Sequence, residues 1–184
     1  MAEVHVLVKG SINTDITIVW ATTSLVLDEG ITMVVDPGTV SSQQVIRDAL
    51  AQFSLTPGDI SHVCLTHTHL DHSRNTGMFP DAAVIDYWGT WHGPRYEYNI
   101  SNRKISDNIE LVMTPGHSSD SLSLLVKTDK GIVAICGDLF WSKYAPDIDP
   151  YAENQAQLEA SRALITRQAD WIVPGHSRMF KVER

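Results

Sequence analysis

The stretch Thr66-His67-Thr68-His69-Leu70-Asp71-His72 constrains this chain more than any other part of it. It places three imidazoles and a carboxylate within six residues, directly after the apolar run Val63-Cys64-Leu65. At this chain's own frequencies, 8 His and 15 Asp in 184 residues, the pattern HxHxDH arises by chance in roughly one chain per thousand. Imidazole and carboxylate are borderline-to-hard donors suited to Zn, Fe or Mn. Four such donors in one tight loop do not comfortably reach a single ion, so two adjacent ions are the simpler arrangement. A loop at a strand end can aim them at one cavity, because strand residues alternate faces.

Three further residues occupy similar positions. His117 follows a strand in Thr114-Pro115-Gly116-His117, Asp138 in Cys136-Gly137-Asp138, and His176 in Val173-Pro174-Gly175-His176. Each is preceded by Gly, which lets the backbone turn sharply beside a crowded centre. Loops at strand ends are where layered α/β proteins build their sites. The remaining histidines, His5, His62 and His92, stand apart from this pattern, and His5 and His62 lie in strand contexts.

The rest of the chain reads as one continuous domain over 1–184, without repeats or low-complexity tracts. Strands are expected at Val4–Val8, Ile16–Trp20, Ser24–Leu27, Ile31–Val35, Ser61–Thr66, Ala82–Asp86, Ile109–Met113, Leu122–Lys127, Gly131–Cys136 and Trp171–Pro174. A helix capped by Ser41 or Ser42 carries Val45, Ile46, Ala49, Leu50 and Phe53 on one face. A second runs from about Glu153 to Gln168, with Leu158, Ser161, Leu164 and Ile165 inward. Many strands with helices outside them imply an α/β protein of two packed mixed sheets. No apolar run reaches the roughly 18 residues of a membrane span, and Met1-Ala2-Glu3-Val4 has no basic leader segment. Cys64 and Cys136 each close an apolar run and read as reduced core thiols, so a cytoplasmic protein is expected. The net charge of -8 argues against non-specific nucleic-acid binding.

HxHxDH, then PGH, then GD, then PGH resembles the metallo-β-lactamase superfamily along nearly the whole chain. The resemblance implies a four-layer αββα sandwich and two divalent ions, with Zn expected and Fe or Mn as alternatives. It places His67, His69 and His117 on the first ion and Asp71, His72 and His176 on the second, with Asp138 bridging. It places Asp36 behind them, hydrogen-bonding a ligand or its loop. Two such ions supply hydroxide near neutral pH for attack on a carbonyl or phosphorus, with Asp71 and Asp138 as the catalytic carboxylates.

Departures from the branches of that superfamily narrow the expectation. Eight residues follow His176, so the helical extension of glyoxalase II-like thioesterases is not expected. Only 37 residues separate Asp138 from His176, which leaves no room for the inserted domain of the nuclease branch. Zinc β-lactamases use Cys where this chain has Asp138, and the di-iron flavoproteins have an acidic residue where it has His69. Iron-dependent sulfur dioxygenases share HxHxDH, so a mononuclear iron oxygenase stays as the alternative, beside weak β-lactamase activity. The run from Thr66 to Pro80, with Gly137-Asp138-Leu139-Phe140, resembles the compact group of metallo-β-lactamase domain-containing protein 1, associated with RNA phosphodiester hydrolysis. The expected reaction is therefore hydrolysis of an ester, lactone or phosphodiester, the substrate a small molecule or an oligonucleotide, and a homodimer is a candidate assembly. Arg74, Arg95, Arg103 and Lys104 are candidates for a phosphate-binding rim. The segment from Asp86 to Tyr98 concentrates five aromatics and is expected to wall or cover the cleft, with Trp88, Trp91 and His92 as substrate contacts. Tyr144 and Tyr151 are candidates to hydrogen-bond a leaving group.

Overall fold

In the computed structural model, which describes residues 1–183, the chain opens with β1 (Glu3–Val8). A short hairpin follows, β2 (Ser11–Ile12) and β3 (Val19–Trp20). Next come β4 (Thr23–Asp28), β5 (Ile31–Val35), α1 (Gln43–Ala51) and β6 (His62–Cys64). The one-turn helix α2 (Leu70–Ser73) precedes β7 (Ala83–Ile85), β8 (Gly89–His92) and β9 (Arg95–Tyr98). The second half contains β10 (Arg103–Lys104), β11 (Ile109–Met113), β12 (Leu122–Thr128), β13 (Gly131–Ile135), α3 (Gln155–Gln168), β14 (Trp171–Val173) and β15 (Phe180–Lys181). One sheet has the order β1-β4-β5-β6-β7-β8-β9 and the other β10-β11-β12-β13-β14-β15.

The alternation of side chains along the strands produces the layers. Val26, Met33, Val35 and Cys64 of the first sheet meet Leu111, Leu122, Leu124, Val133 and Ile135 of the second in one buried cluster. The intervening residues Leu25, Val34 and Val63 face outward and bury Ile46 and Leu50 of α1. On the far side, Leu125, Ala134 and Ile172 cover Leu158 and Ile165 of α3. The result is the expected αββα sandwich. Helices bridge the three parallel steps, α1 between β5 and β6, α2 between β6 and β7, and α3 between β13 and β14. This brings the carboxyl ends of β5 and β6, and those of β13 and β14, to one edge of each sheet.

Local differences from the sequence reading have physical causes. The strand expected over 16–20 shortens to Val19–Trp20, because Asn13, Asp15 and Thr17 form a side-chain-bonded turn. Ile16 sits in that turn at φ 56°, a strained setting for a β-branched residue. Ser42 precedes α1 but its side chain makes no capping bond, and Val45 faces outward. Asn154 caps α3 by accepting the Gln157 N–H, so that helix starts at Gln155. The aromatic segment forms the hairpin β8–β9, turning at Gly93 with φ 58°. No described helix is long and apolar enough to cross a membrane. Cys64 and Cys136 are free, buried thiols.

Candidate metal centre

Asp36, left at φ 49° by the end of β5, is the hub of the histidine loop. Its Oδ1 accepts the Thr66 N–H at 2.8 Å, and its Oδ2 accepts the Thr66 hydroxyl at 2.7 Å. The same Oδ2 stands 2.9 Å from His72 Nδ1. A second carboxylate, Asp120, braces the loop from the other sheet, accepting the Thr68 N–H at 3.1 Å and its hydroxyl at 2.6 Å. Beyond His69 the chain enters α2, which turns Asp71 and His72 toward the same centre.

Two groups of donors converge there. Around one point lie His67 Nε2, His69 Nδ1 and His117 Nε2, with His69 Nδ1 at 3.0 Å from His67 and 3.2 Å from His117. Around the other lie Asp71, His72 and His176. Asp138 stands between them: Oδ1 is 3.2 Å from His72 Nε2 and 2.9 Å from His176 Nε2, while Oδ2 is 3.4 Å from His117 Nε2. Nitrogens sharing a tetrahedral Zn at about 2.05 Å are separated by roughly 3.3 Å, so these spacings suit donors grouped around an ion.

The hydrogen bonds behind the rings fix which nitrogen faces inward. His117 Nδ1 is bonded to Asp149 Oδ2 at 2.9 Å, His72 Nδ1 to Asp36, and His176 Nδ1 to the Trp20 carbonyl at 3.0 Å. Carboxylates and carbonyls only accept, so each Nδ1 carries the proton and each Nε2 offers a lone pair in the neutral ring. The Thr66 hydroxyl donates to Asp36, so at 3.2 Å it accepts from His67 Nδ1, with the same outcome. Two buried atoms at the centre, His72 Nε2 and Asp138 Oδ1, have no hydrogen-bond partner among the described residues. Orphaned buried polar atoms aimed at one point fit a cation well.

The electrostatics of the cluster differ from ring to ring. Burial, reinforced by the neighbouring imidazoles of His72, His117 and His69, holds His67 well below the usual histidine range. Burial also opposes charge on His72, but Asp138 and Asp36 outweigh it and raise that group well above the range. Asp138 resists its own burial through His72 and His176, and lies well below the usual carboxylate range.

Above the donors opens a cavity of about 420 Å³, lined by His69, Asp71, His117, Asp138 and His176 and walled by Ile12, Ile16, Val19, Leu70, Trp141 and Tyr151. Tyr151 therefore reaches the cavity. Tyr144 does not, being 84% exposed beside Lys143. Trp88, Trp91 and His92 belong to the β8–β9 region at the outer edge of the seven-stranded sheet. Trp91 stacks on Tyr96 there, and His92 lines a separate hollow with His62 and Asp81. The aromatic segment thus neither walls nor covers this cavity, because its residues pair into a hairpin on the sheet edge. The basic rim is not assembled either. Arg103 donates to the carbonyls of Asp86, Gly89 and Asn99, Arg95 pairs with Glu97, and no Lys or Arg lines the cavity. Sequence reasoning missed Asp149, Asp120 and the apolar wall. Asp149-Pro150, an acid held in a turn, is the one local signal that pointed to the first.

Residues 18–98 match the family model of the metallo-β-lactamase superfamily. Metallo-beta-lactamase domain-containing protein 1 of Xenopus laevis is 33% identical, covering 98% of this chain and 82% of its own length. Of the mammalian proteins with that name the chain spans only 60 to 64%. A metallo-β-lactamase-like protein of Thermotoga maritima has the same fold, with a TM-score of 0.77 at 22% identity over 98% of this chain and 99% of that one. An N-acyl homoserine lactone hydrolase, solved with its product at the catalytic metal centre, aligns with a TM-score of 0.69 at 17% identity over 85% of this chain and 81% of its own. Fold, His/Asp cluster and a relative alike across nearly the whole chain agree: this chain belongs to the metallo-β-lactamase superfamily, as a metal-dependent hydrolase.

Proposed function

We propose that this protein is a dinuclear zinc hydrolase acting on an uncharged ester or lactone with an apolar body. The observation that carries the substrate class is the cavity wall: six apolar or aromatic side chains, and no cation, surround the donors. A phosphodiester brings negative charge that nothing on this wall would meet, whereas an acyl ester would bury its chain against Ile12, Ile16, Val19 and Trp141. The named lactone hydrolase among the structural neighbours supports the same reading.

His67, His69 and His117 would hold one ion, Asp71, His72 and His176 the other, and Asp138 would touch both. When bound, two divalent ions supply hydroxide near neutral pH and polarise the carbonyl under attack. The chain does the rest. Asp36, Asp149 and the Trp20 carbonyl keep Nε2 of His72, His117 and His176 turned inward. Asp71, a quarter exposed and lining the cavity, is placed to take up and pass on a proton. The apolar wall holds the acyl body and excludes water. The unbridged thiols Cys64 and Cys136 support a reducing, cytoplasmic setting.

Metal analysis of protein purified without added metal, followed by turnover assays on a lactone, a thioester, an RNA oligonucleotide and a β-lactam, tests this reading. Two zinc per chain with preferred lactone or ester turnover is expected, and Asp138→Ala is expected to lose both metal and rate. A single iron would transfer the protein to oxygenase chemistry. Preferred RNA cleavage would overturn the substrate assignment.

A further inference from the structure

The seven-stranded sheet ends on β9, and the composition of that strand suits pairing with itself. Asn99 N–H donates to the Trp88 carbonyl at 2.7 Å, which fixes the alternation along the hairpin. In an antiparallel ladder of that register, the backbone groups of Arg95 and Glu97 point to β8, and those of Tyr96 and Tyr98 point outward. No backbone partner meets that outer side among the described residues. Both faces of the hairpin are open. One carries Trp91 and Tyr96, stacked at 4.3 Å, with Tyr98 70% exposed. The other carries Arg95 and Glu97, exposed and 3.1 Å apart.

We propose that β9 is a homodimer interface, pairing antiparallel with β9 of a second copy about a two-fold axis at Tyr96. The occupant and the register both follow from charge. Outward-facing residues must pair with outward-facing residues. With Tyr96 opposite Tyr96 of the second copy, Arg95 falls opposite Glu97 on each side of the axis, in the closely spaced pairs between ladder bonds. With Tyr96 opposite Tyr98, Glu97 would fall opposite Glu97, and like charges directly across an antiparallel pair destabilise it. Opposite charges two residues apart on an edge strand are therefore self-complementary in one register. Charges of a single sign would have kept copies apart. On the other face Tyr96 of one copy comes beside Tyr96 of the second, extending the aromatic surface of Trp91, Tyr96 and Tyr98 across the axis. The hairpin does not line the metal cavity, so pairing leaves that site open and is independent of the hydrolase reading. The contact is small, so a weak dimer is expected, dissociating on the order of micromolar.

Sedimentation velocity of the full chain over a range of concentration tests the inference. A monomer–dimer equilibrium is expected. Glu97→Arg and Arg95→Glu should each abolish the dimer by placing like charges across the axis, and the double reversal Arg95→Glu, Glu97→Arg should restore it. Thermal melts of the three variants should match the parent, since both side chains are exposed. A protein monomeric at all concentrations would overturn the inference, as would a dimer indifferent to either single reversal. Failure of the double reversal to restore association would overturn the register.

Discussion

His117 Nδ1 lies 2.9 Å from Oδ2 of Asp149, a carboxylate 32 residues further along the chain and fully buried. The other oxygen of Asp149 accepts the Tyr151 N–H at 2.8 Å, so the carboxylate is held at both ends. This pairing decides that His117 presents Nε2 to the centre. Asp149→Asn and Asp149→Ala are expected to weaken metal binding by about 10- to 100-fold, the usual effect of removing a partner behind a metal-binding histidine. Competition against a chelator of known affinity checks it. Unchanged affinity would show that Asp149 does not orient the ring.

Metal loading is expected to release protons. Burial disfavours the charged form of His72, yet Asp138 and Asp36 outweigh it, so without metal the fold favours a proton on this ring more than free solution does. A ligand nitrogen must be free of its proton, so binding displaces it and affinity falls as the solution is made more acid. Because the folded value is raised, the contribution of His72 to metal-free stability is fully present below about 6.5 and is lost as pH rises through the raised value. Titration calorimetry in buffers of different ionisation enthalpy reads the protons released. Loading at pH 7 without proton release would contradict the assignment of His72.

His62, away from the centre, has the opposite sign. Burial, and then the charge of His92, lower its pKa below the ordinary histidine value. The neutral ring is favoured in the fold, so its contribution is present above about 6.5 and is lost as pH falls through the lowered folded value. His92→Ala should move the His62 titration upward, as read from imidazole NMR shifts against pH. A downward shift would refute the attribution.

Gly175→Ala is expected to disarm the centre while sparing the fold. A Cβ at Gly175 would overlap the Asp138 carboxylate, so the side chain that faces both donor groups must move. Metal content should fall below two ions per chain while the circular dichroism spectrum is retained. Full occupancy in this variant would show that Asp138 does not touch both ions.

Much of the centre was legible in the sequence because its donors share a local logic. His67, His69, Asp71 and His72 sit in one loop, and His117, Asp138 and His176 each follow a strand and a glycine. The strand periods that place Val26 and Met33 in one cluster and Leu25 and Val34 in another were equally local. The aromatic segment was not legible in this way. Trp88 and Trp91 carry the composition of a cleft wall, but the turn at Gly93 folds them into an edge hairpin. Tyr151 and Tyr144 looked equivalent in sequence, and only the packing of the loop after β13 sends the first to the cavity and the second to solvent.

The sequence by itself determined which His and Asp residues stand together at strand ends, and the layered sandwich, because spacing along a chain fixes which side chains share a face. The tertiary structure alone decided the rest. It set Asp149 behind His117 and the Trp20 carbonyl behind His176, across 32 and 156 residues. It also raised an apolar wall from a short hairpin and a distant loop, and left the outer side of β9 without a strand partner among the described residues. Such contacts depend on how two sheets are held against each other, and no local spacing encodes that.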